Sequence, residues 1–209
     1  MNLLVINAGS SSLKFQLIEM PLGTVISSGL VERIGLEHTK FHYTIQSEEF
    51  SEAVEFSNHK EALEAIAQKI LSKSSGRTID TIVHRVVHGG EQFSKTTIIT
   101  KEVKDKIREL CALAPLHNPA NLACIEVAEV VFPKATQVAV FDTAFHQTIP
   151  EKAYRYSIPN EFYDKHKIRQ YGFHGTSHKY VSKKAIEFLR LKHSKIITVH
   201  LGNGCSITT

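Results

Sequence analysis

The sequence predicts an α/β fold, a mixed sheet covered by helices. Three observations predict it. The chain opens with several strand-like segments in succession. It continues with strand-like segments that alternate with helical ones. Its polar, chemistry-bearing residues gather where strands or helices end, which is where α/β sites are assembled.

The elements follow in order. Asn2-Leu3-Leu4-Val5-Ile6 is an apolar run that breaks into Asn7-Ala8-Gly9-Ser10-Ser11-Ser12. Leu13-Lys14-Phe15-Gln16-Leu17-Ile18 then alternates apolar and polar, so the segment reads strand, small-residue loop, strand. The loop is either an ordinary polar turn or a phosphate cradle. Gly and Ser dominate turns, and they also let N–H groups and hydroxyls approach an anion, with Lys14 just beyond. Pro21-Leu22-Gly23 marks a turn, and residues 24–31 and 41–46 read as two further strands. Asn58 caps a helix whose apolar set is Ala62, Leu63, Ala65, Ile66 and Ile70, and Gly76 follows it. Residues 79–87 are a dense β-branched run, the mark of a buried strand. Thr100 caps a helix through Ile107 and Leu110, and Pro119, after Asn118, starts another through Ile125, Val127 and Val131. Val138-Ala139-Val140-Phe141 is a short buried strand. From Ile149-Pro150 to about Arg169 the texture changes to Tyr, Pro and charge. Ser177 then caps an amphipathic helix to about Leu191, and residues 196–201 form the last full strand.

That change of texture places a domain boundary between residues 149 and 150. The beginning and end of the chain echo one another. Strand, Asn7-Ala8-Gly9-Ser10, strand is answered by strand, Gly202-Asn203-Gly204-Cys205-Ser206, then Ile207-Thr208-Thr209. The echo predicts two related domains, 1–149 and 150–209, with the second truncated, or else a chance likeness of two hairpins.

Bulk properties narrow the class. The 209 residues, 42% hydrophobic and 22% charged, describe an ordinary globular protein of one or two domains. The formal charge of +4 is spread without a basic stripe interleaved with aromatics, which argues against nucleic acid and allows small anions. No apolar run approaches the ~20 residues of a membrane span, and no secretory signal is evident. Cys111, Cys124 and Cys205 are odd in number and lack C-x-x-C spacing, so they read as thiols of a reducing compartment and the chain as cytoplasmic.

Four clusters carry the candidate chemistry. In His84-Arg85-Val86-Val87-His88-Gly89-Gly90, Arg85 interrupts an apolar strand and is read as buried, so it needs an anion. Its planar fork suits a carboxylate or a phosphate ligand, or a structural ion pair. His84 and His88 lie about 13 Å apart along a strand and make a poor metal pair. In Ala114-Pro115-Leu116-His117-Asn118-Pro119, His117 stands beside a helix N-terminus, as an anion contact or a cap. Asp142 ends a buried strand, where it serves a metal, a water, a proton acceptor or a turn. In Tyr171-Gly172-Phe173-His174-Gly175-Thr176-Ser177-His178, glycines flank Phe173-His174. His174 suits a donor to developing negative charge, and His178 reads as structural. No nucleophile elbow and no Walker A motif occurs. Two phosphate-type loops, one Arg, one Asp and several donor His residues suit phosphoryl transfer, in which a protein mainly positions groups and neutralises charge.

Taken together, these motifs resemble the acetokinase family, the acetate kinases, with matches in order from residue 3 to residue 209. The resemblance implies the duplicated ribonuclease-H-like fold of the acetate and sugar kinase, Hsc70 and actin superfamily. It implies reversible transfer of the ATP γ-phosphate to acetate, giving acetyl phosphate and ADP, with Mg²⁺. It assigns Asn7 to the metal and phosphate site, and Lys14, with Ser10 and Ser12 of its loop, to ATP. Arg85 is implied as the carboxylate clamp, and Val87, Leu116 and Phe173 as the pocket for the acetate methyl. Asp142 is implied as the acid/base or orienting residue, His174 as the transition-state stabiliser and His117 as a further phosphate contact. His200, Leu201, Gly202, Asn203 and Gly204 are implied as a second ATP phosphate loop. Family members run to about twice this length and form dimers, so a homodimer is expected of the full-length protein and no activity of this chain alone. Propionate kinase shares these motifs. A non-catalytic module that binds acyl phosphate or nucleotide, or a His-rich metal hydrolase, are readings from other classes.

Overall fold

The computed structural model describes residues 1–73, 78–202 and 204–209. Gly76, expected after the first helix, and Asn203 lie outside the described residues. The chain divides into two compact units, residues 1–88 with 96–140 and residues 89–95 with 141–209.

The first unit is built on β1 (Asn2–Ala8) and β2 (Ser12–Glu19), which pair antiparallel with Asn7 opposite Lys14 and Ala8 opposite Leu13. The alternation puts Leu4, Ile6 and Ala8 of β1 and Leu13, Phe15 and Leu17 of β2 on one buried face. β3 (Thr24–Glu32), β4 (Thr39–Ile45) and β5 (Glu48–Val54) extend the sheet as a meander. α1 (His59–Lys73) follows. Its start is a reciprocal cap: Glu61 N–H donates to Asn58 Oδ1 at 3.1 Å, and Ser57 N–H donates to Glu61 Oε2 at 2.8 Å. β6 (Thr81–Val86) then pairs parallel to β1. The short β7 (Thr97–Ile98), α2 (Lys101–Glu109), α3 (Asn118–Val131) and β8 (Thr136–Phe141) complete it. The strand order is β5-β4-β3-β2-β1-β6-β8-β7. Leu63, Ile66 and Ile70 of α1 and Cys124 and Ala128 of α3 pack with Leu4, Ile6, Leu13, Phe15 and Phe41 in one core.

Three expectations change here. β5 is a strand that propensity hides, because Glu48, Glu49 and Glu52 are poor strand formers. It is fixed by the two-residue turn Gln46-Ser47, both at positive φ (51° and 72°), and by Glu52, which takes Lys69 Nζ and Tyr43 Oη at 2.6 Å each. As the sheet edge, its charge discourages further pairing. β6 is buried on one face only, so Arg85 is half-buried rather than buried. His84, on the buried face, donates from Nε2 to Gln137 Oε1 at 2.8 Å, since an amide oxygen only accepts.

Burial pushes the His84 pKa down to about 4. Below its ordinary value of 6.5 the unfolded chain takes up a proton that folded His84 refuses, so the unfolded state binds more protons. Stability is therefore complete above pH 6.5, falls as pH drops towards 4, and levels off below. The shift corresponds to about 3 kcal/mol. Urea unfolding of the wild type and His84→Gln across this range is expected to show the variant flatter by that amount. Parallel pH profiles would contradict it.

The second unit holds a 3₁₀ turn (Ala144–Thr148), α4 (Glu151–Tyr154), α5 (Asn160–His166), α6 (Gly175–Leu189) and the antiparallel hairpin of β9 (Thr198–Leu201) and β10 (Cys205–Thr208). Residues 89–95 join it through specific contacts. Phe93 stacks on Phe141 at 4.3 Å, Gly89 N–H donates to Thr143 Oγ1 at 2.9 Å, and Glu91 takes Arg169 at 2.9 Å and Tyr163 Oη at 2.8 Å. The segment of changed texture is thus ordered by a polar cluster. Arg169 is buried and lies over the Tyr154 ring at 3.5 Å and the Tyr171 ring at 4.8 Å. Both ends of the sequence echo are antiparallel hairpins, and the second resumes at Cys205, not at Ile207.

Candidate functional site

In the first unit the candidate residues collect at the C-terminal ends of the parallel pair β1 and β6. The pairing sets Ile6 beside His84, so the next residues, Asn7 and Arg85, share the face turned away from the core. Arg85 donates to Asn7 Oδ1 at 3.1 Å. Lys14, exposed, sits opposite Asn7 on β2, and both are among the residues lining a concavity of about 810 Å³ on that face. The loop between β1 and β2 is held from inside. Gly9 N–H donates to Ser12 O at 2.8 Å, and Gly9 O lies 2.7 Å from His59 Nε2. A Cβ on Gly9 would meet Ser12 Oγ at 2.8 Å, a contact that rotation of the serine hydroxyl relieves. Ser10 is exposed and Ser12 half-buried.

Two residues that sequence reasoning missed hold these strand ends. Asn118 is fully buried and clasps the backbone of His88: its Oδ1 takes the His88 N–H and its Nδ2 donates to His88 O, each at 3.0 Å. Asn121 Nδ2 donates to Ala8 O at 2.7 Å, and its Oδ1 takes the Val87 N–H at 3.2 Å. One asparagine therefore ties the ends of both strands, and a second fixes the residue beyond Val87. A signal existed, since Asn118, Asn121, Leu122 and Ile125 fall on one helical stripe whose other members are apolar. His117 is the backbone N-cap of α3 and its side chain makes no cap bond, so the side-chain capping alternative is set aside. Leu116, on the same turn, is 76% exposed, and Val87 is half-buried.

In the second unit Asp142 directly follows β8 and is buried. Its carbonyl takes the Gly175 N–H at 2.9 Å, and Thr176 Oγ1 reaches its Oδ1 at 3.5 Å, the outer limit for a hydrogen bond. His174 is the N-cap of α6 with a left-handed backbone at φ +54°. A non-glycine residue there carries strain of about 1–3 kcal/mol, the kind found at functional positions. Ser177 is therefore not the cap but lies in the first turn, where its hydroxyl meets His200 Nδ1 at 3.0 Å.

Four imidazoles gather here. His174 stacks on His200 at 4.1 Å, and His178 lies 5.7 Å from His146 and 6.4 Å from His200. Burial, then the like charge the neighbouring rings would carry, lowers the His178 pKa. Burial likewise lowers that of His146, whose Nε2 lies 3.1 Å from Phe173 O. The loop between β9 and β10 closes with Gly202 N–H donating to Gly204 O at 3.0 Å. A Cβ on Gly204 would press on the His174 ring at 3.1 Å. Leu201 and Phe173 are 77% and 37% exposed.

Among the described residues no group of three or more His, Cys, Asp or Glu side chains is gathered to hold a metal. Asn7 Oδ1 is already engaged by Arg85. An amide oxygen of this kind is a hard donor compatible with magnesium.

The chain matches the acetokinase family over residues 2–209. It is 56% identical to an acetate kinase of Flavobacterium johnsoniae, over 100% of this chain and 54% of that protein. Among solved structures, the acetate kinase of Porphyromonas gingivalis is 46% identical with a TM-score of 0.89, over 99% of this chain and 54% of its own. A propionate kinase from Francisella tularensis is 43% identical with a TM-score of 0.94, over the same shares. The chain spans about half the length of these relatives. Its mixed sheet and covering helices are the ribonuclease-H-like fold shared by acetate and sugar kinases, Hsc70 and actin. With residues 2–209 matched, the chain belongs to the acetokinase family.

Proposed function

We propose that the full-length protein is a kinase that moves the γ-phosphate of ATP to acetate, reversibly. A carboxylate oxygen of acetate attacks the γ-phosphorus, a new P–O bond forms, the bond to the β–γ bridging oxygen breaks, and ADP leaves. The substrate supplies the nucleophile, so the protein needs only to position and neutralise. Arg85 binds the carboxylate, and Val87, Leu116 and Phe173 receive the methyl group. His174 donates to the charge that grows on the transferring phosphoryl group, and His117 contacts phosphate. Asp142 orients the reacting groups, since the attacking carboxylate carries no proton to remove. Lys14, Ser10 and Ser12 on one hairpin, and His200, Leu201, Gly202, Asn203 and Gly204 on the other, receive the nucleotide. Mg²⁺, arriving with ATP, supplies charge neutralisation, with Asn7 as its protein contact.

The observation that carries this reading is Arg85 itself. Its guanidinium stands at a strand end, is bonded to Asn7 and is half-buried, and a planar fork in that position matches the geometry of a carboxylate. In the full-length protein, Arg85→Ala is expected to raise the KM for acetate ~10–100-fold, the worth of a charge-assisted hydrogen-bond pair, with a smaller effect on the KM for ATP. An unchanged acetate KM would sink the clamp.

The chain is proposed to comprise the N-terminal domain, 1–149, and the beginning of a nucleotide-binding domain, 150–209, and not to turn over alone. The exposure of Phe188, Leu201 and Ile207 supports this, since a longer chain would bury them. A homodimer in the cytoplasm is proposed for the whole protein. Among the described residues no helix is long and apolar enough to cross a membrane, and all three cysteines are free. The likeness to a propionate kinase supports a second reading, transfer to propionate. One methylene is worth ~1–3 kcal/mol, so the ratio of kcat/KM for the two acids separates them.

A further inference from the structure

We infer that Ser206, itself held by His178 and Thr198, sets the ring tautomer of His174, leaving its proton on Nε2. The inference deepens the kinase reading and rests on it for the role of His174; the tautomer itself does not depend on that reading.

Three hydrogen bonds run in series through the second unit. Thr198 Oγ1 lies 2.7 Å from His178 Nδ1. His178 Nε2 lies 2.8 Å from Ser206 Oγ. Ser206 Oγ lies 2.9 Å from His174 Nδ1. The directions follow from counting hydrogens. A neutral imidazole has one N–H and one bare nitrogen, and a hydroxyl has one hydrogen to give. Burial and the facing rings of His146, His174 and His200 keep His178 neutral at pH 7. Thr198 is buried, and among the described residues its hydroxyl bonds to His178 Nδ1 alone. A buried hydroxyl hydrogen needs an acceptor, so Thr198 donates to that nitrogen. His178 then carries its proton on Nε2 and donates to Ser206. Ser206 gives its only hydrogen to His174 Nδ1. The proton of His174 is left on Nε2, the donor form that stabilising a phosphoryl transition state requires.

The same arrangement accounts for two local features. His174 is seated with a strained backbone, so its ring has a fixed origin. Gly204 leaves no side chain against the Cε1 and Nε2 edge of that ring, where a Cβ would lie 3.1 and 3.3 Å away. Ser206 and His178 act through His174, which makes them positioning residues.

The test reads the ring nitrogens of this protein, labelled with ¹⁵N at histidine, at pH 8 and without substrate. His174→Gln locates the His174 signals. The wild type is expected to show His174 protonated on Nε2 and bare on Nδ1. Ser206→Ala is expected to move it to a mixture of tautomers, and Ser206→Thr, which keeps the hydroxyl, to restore the wild-type form. A wild-type His174 protonated on Nδ1 overturns the inference, and so does an unchanged tautomer in folded Ser206→Ala. If Ser206→Ala does not fold, the wild-type spectrum decides alone. In the full-length enzyme, Ser206→Ala is expected to lower kcat ~10–100-fold with both KM values kept, as for partners that orient a functional histidine, and Ser206→Thr to recover most of it. The expected tautomers in a full-length protein without phosphoryl transfer support the relay and overturn the kinase reading. Phosphoryl transfer with His174 protonated on Nδ1 does the reverse.

Discussion

Gly175→Ala is expected to destabilise the second unit by ~3 kcal/mol or more and to abolish phosphoryl transfer in the full-length protein. A Cβ at this position would fall on the Asp142 carbonyl oxygen and within 2.9 Å of Phe145 Cβ. The obstacle is backbone, so no side-chain rotation relieves it. The same carbonyl takes the Gly175 N–H, and the clash would break that bond and displace Asp142. His174, one residue before, would lose its seat at the start of α6. Gly23→Ala is the control. Gly23 has φ +73° but no atom within 4 Å of a new Cβ, so it bears only the ~1–2 kcal/mol of a left-handed residue. Thermal melts of the two variants measure the difference. A Gly175→Ala protein that melts like Gly23→Ala would contradict the close approach.

Asn118→Ala is expected to cost ~2–5 kcal/mol in the first unit. Two hydrogen bonds disappear at once, leaving the His88 N–H and C=O buried without them. Each such group is worth ~1–3 kcal/mol. Asn118→Asp would still accept from the N–H but would set a carboxylate against the carbonyl, so it is expected to recover little. Urea unfolding of both variants tests this. A loss below about 1 kcal/mol for Asn118→Ala would show that the clasp is not a main support of the β6 end.

Much of this architecture is written in short-range pattern. The β1–β2 hairpin shows as alternation around a small-residue loop. Arg85 and Asp142 stand out because each is a polar residue at the end of an apolar run. The parts that stayed hidden depend on distant partners. β5 is an acidic segment that becomes a strand because its turn adopts positive φ at Gln46 and Ser47, where no glycine announces it, and because Lys69 and Tyr43 hold Glu52. Residues 150–169 carry no clean period because Arg169, Tyr154, Tyr171 and Glu91 order them through stacking and ion pairing, not through an apolar stripe. Ser177 has the residue type of a cap, whereas the strained His174 begins the helix. Ser206, after Gly202 to Cys205, reads as loop in the sequence, yet it lies in β10, where it meets two histidines far away in sequence.

The central claim is that the candidate residues serve transfer of phosphate from ATP to a short carboxylic acid. The most direct measurement is ADP formation by the full-length protein in a coupled assay with ATP, Mg²⁺ and acetate, propionate or butyrate, with the acyl phosphate trapped. The account predicts stoichiometric ADP and acetyl phosphate, with the highest kcat/KM for acetate. ATP turnover that is independent of any of the three acids, or none at all, would contradict it.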